Sequence, residues 1–80
     1  MMQKYSLEFT LRVHGHSEKA VRNALSEFGD ALTIRDCQEE NSEARNLHIH
    51  INTQEPTLIF DICAQFGRIQ SARVQEEGRE

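Results

Sequence analysis

Apolar and polar residues alternate along four stretches of the chain, which predicts four β-strands. In "YSLEFTLRV" (5–13), the odd-numbered residues from Tyr5 to Val13 are apolar and the residues between them are polar or small. That period of two is typical of a strand with one buried face. "ALTIRDC" (31–37) predicts a second strand, with Leu32 and Ile34 inward.

The third strand carries Leu47, Ile49 and Ile51 on its buried face. "RIQSARVQ" (68–75) predicts the fourth strand, again by alternation. The inward residues of the fourth strand are predicted to be Ala72 and Val74. The polar segment "QEENSEARN" (38–46) predicts an exposed hairpin loop.

Helical spacing predicts two helices between the strands. Ser17 is a good N-cap for the first helix, and Gly29 is placed to end it. Pro56 suits the first position of the second helix, and Gly67 is placed to stop that helix. The buried stripes are predicted to be Val21, Leu25 and Phe28 in the first helix and Leu58, Ile59, Ile62, Cys63 and Phe66 in the second.

The element order is therefore β-α-β-β-α-β, which is typical of an α+β, ferredoxin-like two-layer sandwich. Its four-stranded antiparallel sheet has the order 4-1-3-2, and both helices cover one face. The length of 80 residues predicts a single domain, 1–80, with a structured core of about 4–75 and a polar tail at 76–80. A domain of this size has a small core, so we expect it to form a homodimer.

Strand parity places an unusual set of side chains on the sheet face that lacks helices. If Leu47, Ile49 and Ile51 are buried, then His48 and His50 point to the open side. The first strand is antiparallel to the third, so His50 is expected beside Ser6 or Glu8. Parity adds Thr10, Arg12, Asn52, Thr33, Arg35 and Cys37 to the same face.

Three interpretations of the His-x-His pair stay open. The histidines can be ordinary half-exposed sheet residues that a partner subunit covers. They can act chemically with Ser6 and Glu8, because imidazole titrates near neutral pH and can move protons or hold a phosphate. They can also join Cys37 in a metal site, because two imidazoles and a thiolate suit Zn²⁺ or Ni²⁺.

Charge and composition exclude several classes of function. Nine Lys and Arg stand against thirteen Asp and Glu, for a formal charge of −4, so general nucleic-acid binding is not expected. No apolar run is long enough to span a membrane, no phosphate-binding loop or G-x-G-x-x-G motif occurs, and no signal peptide is visible. We expect a cytoplasmic protein with two free thiols and no cofactor bound through a known motif.

The order and spacing of three segments resemble a known family. "YSLEF", "LSEFGDALTI" and "LHIHINTQEPTLIFDICAQFGRIQSARVQ" are similar to the middle domain of the bacterial fatty acid kinase catalytic component. That family joins a dihydroxyacetone-kinase-like ATP domain to this middle domain and to a DegV-like portion. Its pattern reads roughly Y-C-x-E-F, L-G-D-S-L and V-H-V-H-T-x-x-P.

The resemblance implies a dimerisation domain in which one cysteine and two histidines are needed for activity. The histidines correspond to His48 and His50, while the cysteine position holds Ser6. A hydroxyl is a poorer nucleophile and metal ligand than a thiolate, which puts the family's chemistry in doubt here. The chain is thus expected to be an accessory domain and not a complete kinase, with an ATP-binding domain and a fatty-acid-binding protein as partners.

"LHIHIN" also resembles the ACT-like regulatory domain of nickel-responsive repressors. In those domains a cysteine ligand follows the His-x-His strand within a few residues, whereas Pro56 and a helix follow it here. The alternative function is therefore a metal- or small-molecule-sensing module.

Overall fold

The computed structural model describes residues 4–15, 18–38 and 44–77, and the order of its elements is the predicted one. The N-cap Ser17, residues 39–43 of the predicted loop and residues 78–80 of the predicted tail lie outside that part of the chain. The elements are β1 (Lys4–His14), α1 (Glu18–Leu25), β2 (Asp30–Gln38), β3 (Ala44–Thr53), α2 (Pro56–Ala64) and β4 (Gly67–Glu77).

The four strands form one antiparallel sheet in the order β2-β3-β1-β4. This is the predicted order 4-1-3-2 read from the other edge, so the ferredoxin-like α+β fold is confirmed. The two central strands, β1 and β3, pair along ten consecutive positions. That pairing fixes which side chains of β1 and β3 lie next to one another on each face.

The hydrophobic core fills the space between the sheet and the two helices. Pro56 opens α2 as predicted, and Cys63 of that helix is fully buried. The rings of Phe9 and Phe60 meet edge to face at 5.4 Å, which anchors α2 on the centre of the sheet. The buried core residues are Leu7, Phe9, Leu11, Val13, Val21, Leu25, Leu47, Ile49, Ile51, Ile59 and Cys63.

A bulge in β4 reverses the predicted parity of the part of that strand that precedes it, residues 67–70. Two residues, Ser71 and Ala72, lie where the β1 partner strand has one, and Ser71 adopts a left-handed φ of 56°. Val74 lies opposite the buried Leu7 and so faces the helices as predicted, although 47% of its surface is exposed, whereas Ala72 lies in the bulge and is exposed. Ile69, on the other side of the bulge, packs against the core instead.

Other boundaries differ by a few residues from the prediction. Strand β3 begins at Ala44 and β4 continues to Glu77, so the predicted loop and tail are partly strand. Helix α1 ends at Leu25, and Phe28 lies beyond it with 40% of its surface exposed. Phe28 therefore does not complete the buried stripe of α1.

Gly29 and Gly67 are required for close approach of two backbones, and they do not end the helices. A Cβ on Gly67 would lie 1.9 Å from the Arg12 carbonyl oxygen, and one on Gly29 would lie 2.5 Å from that of Asn52. Neither residue has a left-handed φ, which a helix-ending glycine commonly adopts. Instead, Gly67 lets β4 approach β1 closely, and Gly29 lets the backbone before β2 approach β3 closely. No helix in the described part of the chain is long and apolar enough to span a bilayer.

Candidate functional site on the open sheet face

The sheet face without helices carries polar side chains in rows that run across all four strands. The pairing registers define three consecutive rows, and we call these three rows the open face. From β2 to β4, the rows are Thr33, His50, Glu8 and Arg73; Arg35, His48, Thr10 and Gln70; and Cys37, Asn46, Arg12 and Arg68. A fourth row, with Asn52 opposite Ser6, borders the first.

The two histidines make diagonal contacts across β1 and β3. The Ser6 hydroxyl oxygen lies 3.0 Å from Nε2 of His50, although Ser6 pairs directly with Asn52. In the same way, a Glu8 carboxylate oxygen lies 3.3 Å from Nε2 of His48. The predicted neighbourhood of His50 with Ser6 and Glu8 is therefore present, with Ser6 as the hydrogen-bonding partner.

The backbone of β2 selects one tautomer of His50. The Ala31 carbonyl oxygen lies 3.4 Å from Nδ1 of His50, and a carbonyl can only accept a hydrogen bond. When Nδ1 donates to Ala31, a neutral His50 has an unprotonated Nε2, which accepts the proton of the Ser6 hydroxyl. The arrangement is a hydroxyl that donates a hydrogen bond to an imidazole nitrogen.

A bulge in β2 brings the Ala31 carbonyl to this position. Asp30 pairs with Asn52 and Thr33 pairs with His50, so β2 has one residue more than β3 between these two pairs. Ala31 adopts a left-handed φ of 54°, which is uncommon for a residue with a Cβ. Bulges re-aim groups beside functional sites, and this one aims a carbonyl at an imidazole.

Glu8 lies between the imidazole of His48 and the guanidinium of Arg73. One oxygen faces His48, and the other lies 3.9 Å from a guanidinium nitrogen of Arg73. The side chains of Glu8 and His48 are 47% and 38% exposed, so solvent screens their contact to less than about 1 kcal/mol. The contact orients the His48 ring and contributes little to the stability of the fold.

The register separates Cys37 from the two histidines. Cys37 pairs with Asn46, whereas Arg35 lies opposite His48 and Thr33 lies opposite His50. In the described part of the chain, no three His, Cys, Asp or Glu residues form a group that could hold a metal ion. Cys37 is exposed and Cys63 is buried, and both thiols are free. Burial raises the pKa of the Cys63 thiol from 9.0 to about 12, so Cys63 is protonated and belongs to the core.

A cavity of about 280 Å³ lies at one end of the sheet, and neither histidine lines it. Its wall includes Asn52, whose buried amide oxygen has no hydrogen-bond partner among the described residues. Thr53 closes the same corner, because its hydroxyl donates to the Phe28 carbonyl at 2.8 Å and accepts from the Glu55 amide at 3.0 Å. These contacts fix the turn between β3 and α2.

Two features of the open face could not be found by strand parity alone. Arg68 would point toward the helices if β4 were regular, and the bulge turns it to the open face beside Arg12. The Ala31 carbonyl is a backbone group, and no residue type in the sequence marks it. The left-handed residues of the two bulges are Ala31 and Ser71, and neither is a glycine, the residue type that would mark a bulge in the sequence.

The chain matches none of the curated proteins with which it was compared. The family model of the FakA-like middle domain of fatty acid kinase matches residues 2–76. Because the match covers nearly the whole length of 80 residues, the chain belongs to the family of FakA-like middle domains of fatty acid kinase.

Proposed function

We propose that this chain is an accessory domain of a fatty-acid-kinase-like phosphoryl-transfer system and is not a complete kinase. Membership of the middle-domain family over residues 2–76 supports the accessory role. The sequence contains no nucleotide-binding motif, so ATP is bound by a dihydroxyacetone-kinase-like domain and the acyl substrate by a fatty-acid-binding protein. The two free thiols fit the reducing environment of the cytoplasm, where we place the protein.

Within that role, His48, His50, Ser6 and Glu8 form the functional surface. The observation that carries this proposal is the 3.0 Å contact between the Ser6 hydroxyl and Nε2 of His50. Imidazole and hydroxyl groups hydrogen-bond the oxygens of a phosphoryl or acyl-phosphate group and pass protons near neutral pH. Because Ser6 stands where the family pattern has cysteine, these residues act by hydrogen bonding and electrostatics, without a covalent intermediate.

Acetyl phosphate tests the proposed site on the isolated chain. We expect the ring signals of His48 and His50 to move saturably in nuclear magnetic resonance spectra when acetyl phosphate is added at constant pH and ionic strength. His14 is exposed at the end of β1 and serves as the internal control, because it lies outside the proposed site. Equal shifts at all three histidines, or none, would remove the anion-binding role.

ATP turnover tests the accessory role. The purified chain is expected to hydrolyse no ATP above the buffer blank, and to transfer no phosphoryl group to a fatty acid, until a kinase-like ATP domain is added. Turnover by the chain alone that survives further purification would show that it is an enzyme in its own right.

We also infer that the domain self-associates, as the resemblance implies. The core is small for a stable domain, and the edge strands β2 and β4 offer backbone groups to a second copy. Sedimentation velocity at micromolar concentration measures this directly. A monomer at every concentration up to the solubility limit would exclude the homodimer.

A further inference from the structure

Positive charge is concentrated on the open face of a chain that is acidic overall. The whole sequence has a formal charge of −4. The three rows of the open face nevertheless hold four arginines and one described acidic residue, Glu8. We call the four arginines the arginine frame: Arg12, Arg35, Arg68 and Arg73.

The arginine frame is too broad for a single small anion. Arg35 lies on β2 and Arg73 on β4, at opposite edges of the sheet. Three strand spacings separate them, which is about 14 Å, and the rows extend over a similar length along the strands. A phosphoryl group spans only a fraction of that area. The frame therefore suits several anionic groups presented together by a surface.

The arginines are available to such a surface. Arg35, Arg68 and Arg73 are exposed, and the half-buried Arg12 makes one long contact of 3.4 Å with the Asn46 amide oxygen. The planar guanidinium binds a carboxylate with two parallel hydrogen bonds, a geometry that lysine cannot supply. Phosphate can accept the same pair of hydrogen bonds, but the overall charge of −4 disfavours a nucleic acid, so the chemistry that fits the frame is a set of Asp and Glu side chains.

A second copy of this chain is a poor occupant of the open face. Face-to-face packing would bring two arginine frames together with only two Glu8 side chains between them. Like charges set against one another across an interface cost several kcal/mol and disfavour the pairing. Self-association is expected to use the edge strands, which leaves the open face to a different partner.

We propose that the open face docks an acidic surface of a different protein or domain, whose carboxylates pair with the arginine frame around the His-x-His pair. This interaction goes beyond the proposed accessory function, because it explains how another component is held over the histidines. Complementary charge accelerates encounter and sets orientation, and the interaction weakens with added salt. The docked surface then places its own reacting group beside His48 and His50.

The probe is a labelled peptide of alternating Glu and Gly, and its binding to the whole chain is measured by fluorescence anisotropy. Arg35→Gln, Arg68→Gln and Arg73→Gln are each expected to weaken binding by about two- to fivefold. Arg22→Gln and Arg45→Gln are the matched controls, because they remove the same charge from residues paired to Glu18 and Asp36, away from the three rows. The controls are expected to bind like the unchanged chain.

Three results would overturn the proposal. The first is no saturable binding at low salt. The second is an equal loss in the Arg22 and Arg45 controls, which would make the effect one of net charge alone. The third is dissociation of the chain's own dimer by the peptide, which would assign the face to a second copy. Peptide binding is judged from the arginine variants and acetyl phosphate binding from the histidine signals, so either test can fail while the other succeeds.

Discussion

Replacing Ala31 with glycine is expected to stabilise the protein, although Ala→Gly substitutions usually destabilise. Ala31 is the bulge residue of β2, with a φ of 54°, and its carbonyl faces Nδ1 of His50 at 3.4 Å. Glycine adopts that conformation without steric conflict. The substitution leaves the carbonyl in place and relieves strain beside the candidate site.

The expected gain follows from two opposing contributions. A residue with a Cβ in the left-handed region costs roughly 1–2 kcal/mol. Glycine offsets about 0.4–1 kcal/mol of this gain, because the unfolded chain with glycine has more conformational freedom to lose on folding. Ala31→Gly should therefore raise the free energy of unfolding by about 0.5–1 kcal/mol. Ala20→Gly, inside α1, has no such strain to relieve and should lower it by about 1 kcal/mol.

Urea unfolding followed by circular dichroism measures both variants under the same conditions. The two substitutions remove the same methyl group, so opposite signs isolate the backbone conformation at residue 31. If Ala31→Gly destabilises as much as Ala20→Gly does, Ala31 is not left-handed. That result would contradict both the bulge in β2 and the hydrogen bond from Nδ1 of His50 to the Ala31 carbonyl.

Four further predictions concern the packing that supports the open face. Cys37 should react with a thiol reagent in the native protein while Cys63 stays protected, because burial raises the pKa of Cys63 to about 12; equal native rates would contradict its place in the core. Since the unfolded thiol loses its proton near 9.0 and the folded one near 12, the contribution of Cys63 to stability should be constant below pH 9 and fall above it by up to about 1.4 kcal/mol per pH unit; a Cys63→Ala variant that shows the same fall above pH 9 in urea unfolding would contradict this. Gly67→Ala should destabilise by at least about 1–3 kcal/mol, because the new Cβ meets a backbone carbonyl at 1.9 Å; a neutral effect in thermal melts would refute the close approach of β4 to β1. Thr53→Val should cost about 0.5–1.5 kcal/mol, because it removes the hydroxyl that bonds the Phe28 carbonyl and the Glu55 amide, and an unchanged melting temperature would contradict these hydrogen bonds.

The alternation of side chains was sufficient to predict the sheet face on which the histidines lie. Leu47, Ile49 and Ile51 are fully buried, and a regular strand then has His48 and His50 on the opposite side. The β-α-β-β-α-β order makes β1 and β3 neighbours, which brings Ser6 to His50. These inferences succeed because β1 and β3 pair without a bulge over ten positions.

Parity failed where the strands are irregular. The bulge at Ser71 shifts one half of β4 by one residue, so Ile69 becomes a core residue and Arg68 joins the open face. The bulge at Ala31 aims a backbone carbonyl at His50. A left-handed φ at serine or alanine is set by tertiary contacts, and these residue types do not indicate it. Parity alone put Arg12 and Arg35 on the open face, whereas the position of Arg68 could be found only from the structure.

The central claim is that His48 and His50 act together on the open face, and phosphoryl transfer in the assembled system tests it most directly. His48→Gln, His50→Gln and the control His14→Gln would be assayed with a kinase-like ATP domain and a fatty-acid-binding protein, with activity expressed per folded chain. Loss of either central histidine is expected to lower the rate by about 10²-fold or more, as removal of a proton-transfer group does, and His14→Gln should leave it unchanged. If folding and self-association fail in the His48 and His50 variants while activity per folded chain is unchanged, the histidines are structural and the account is wrong.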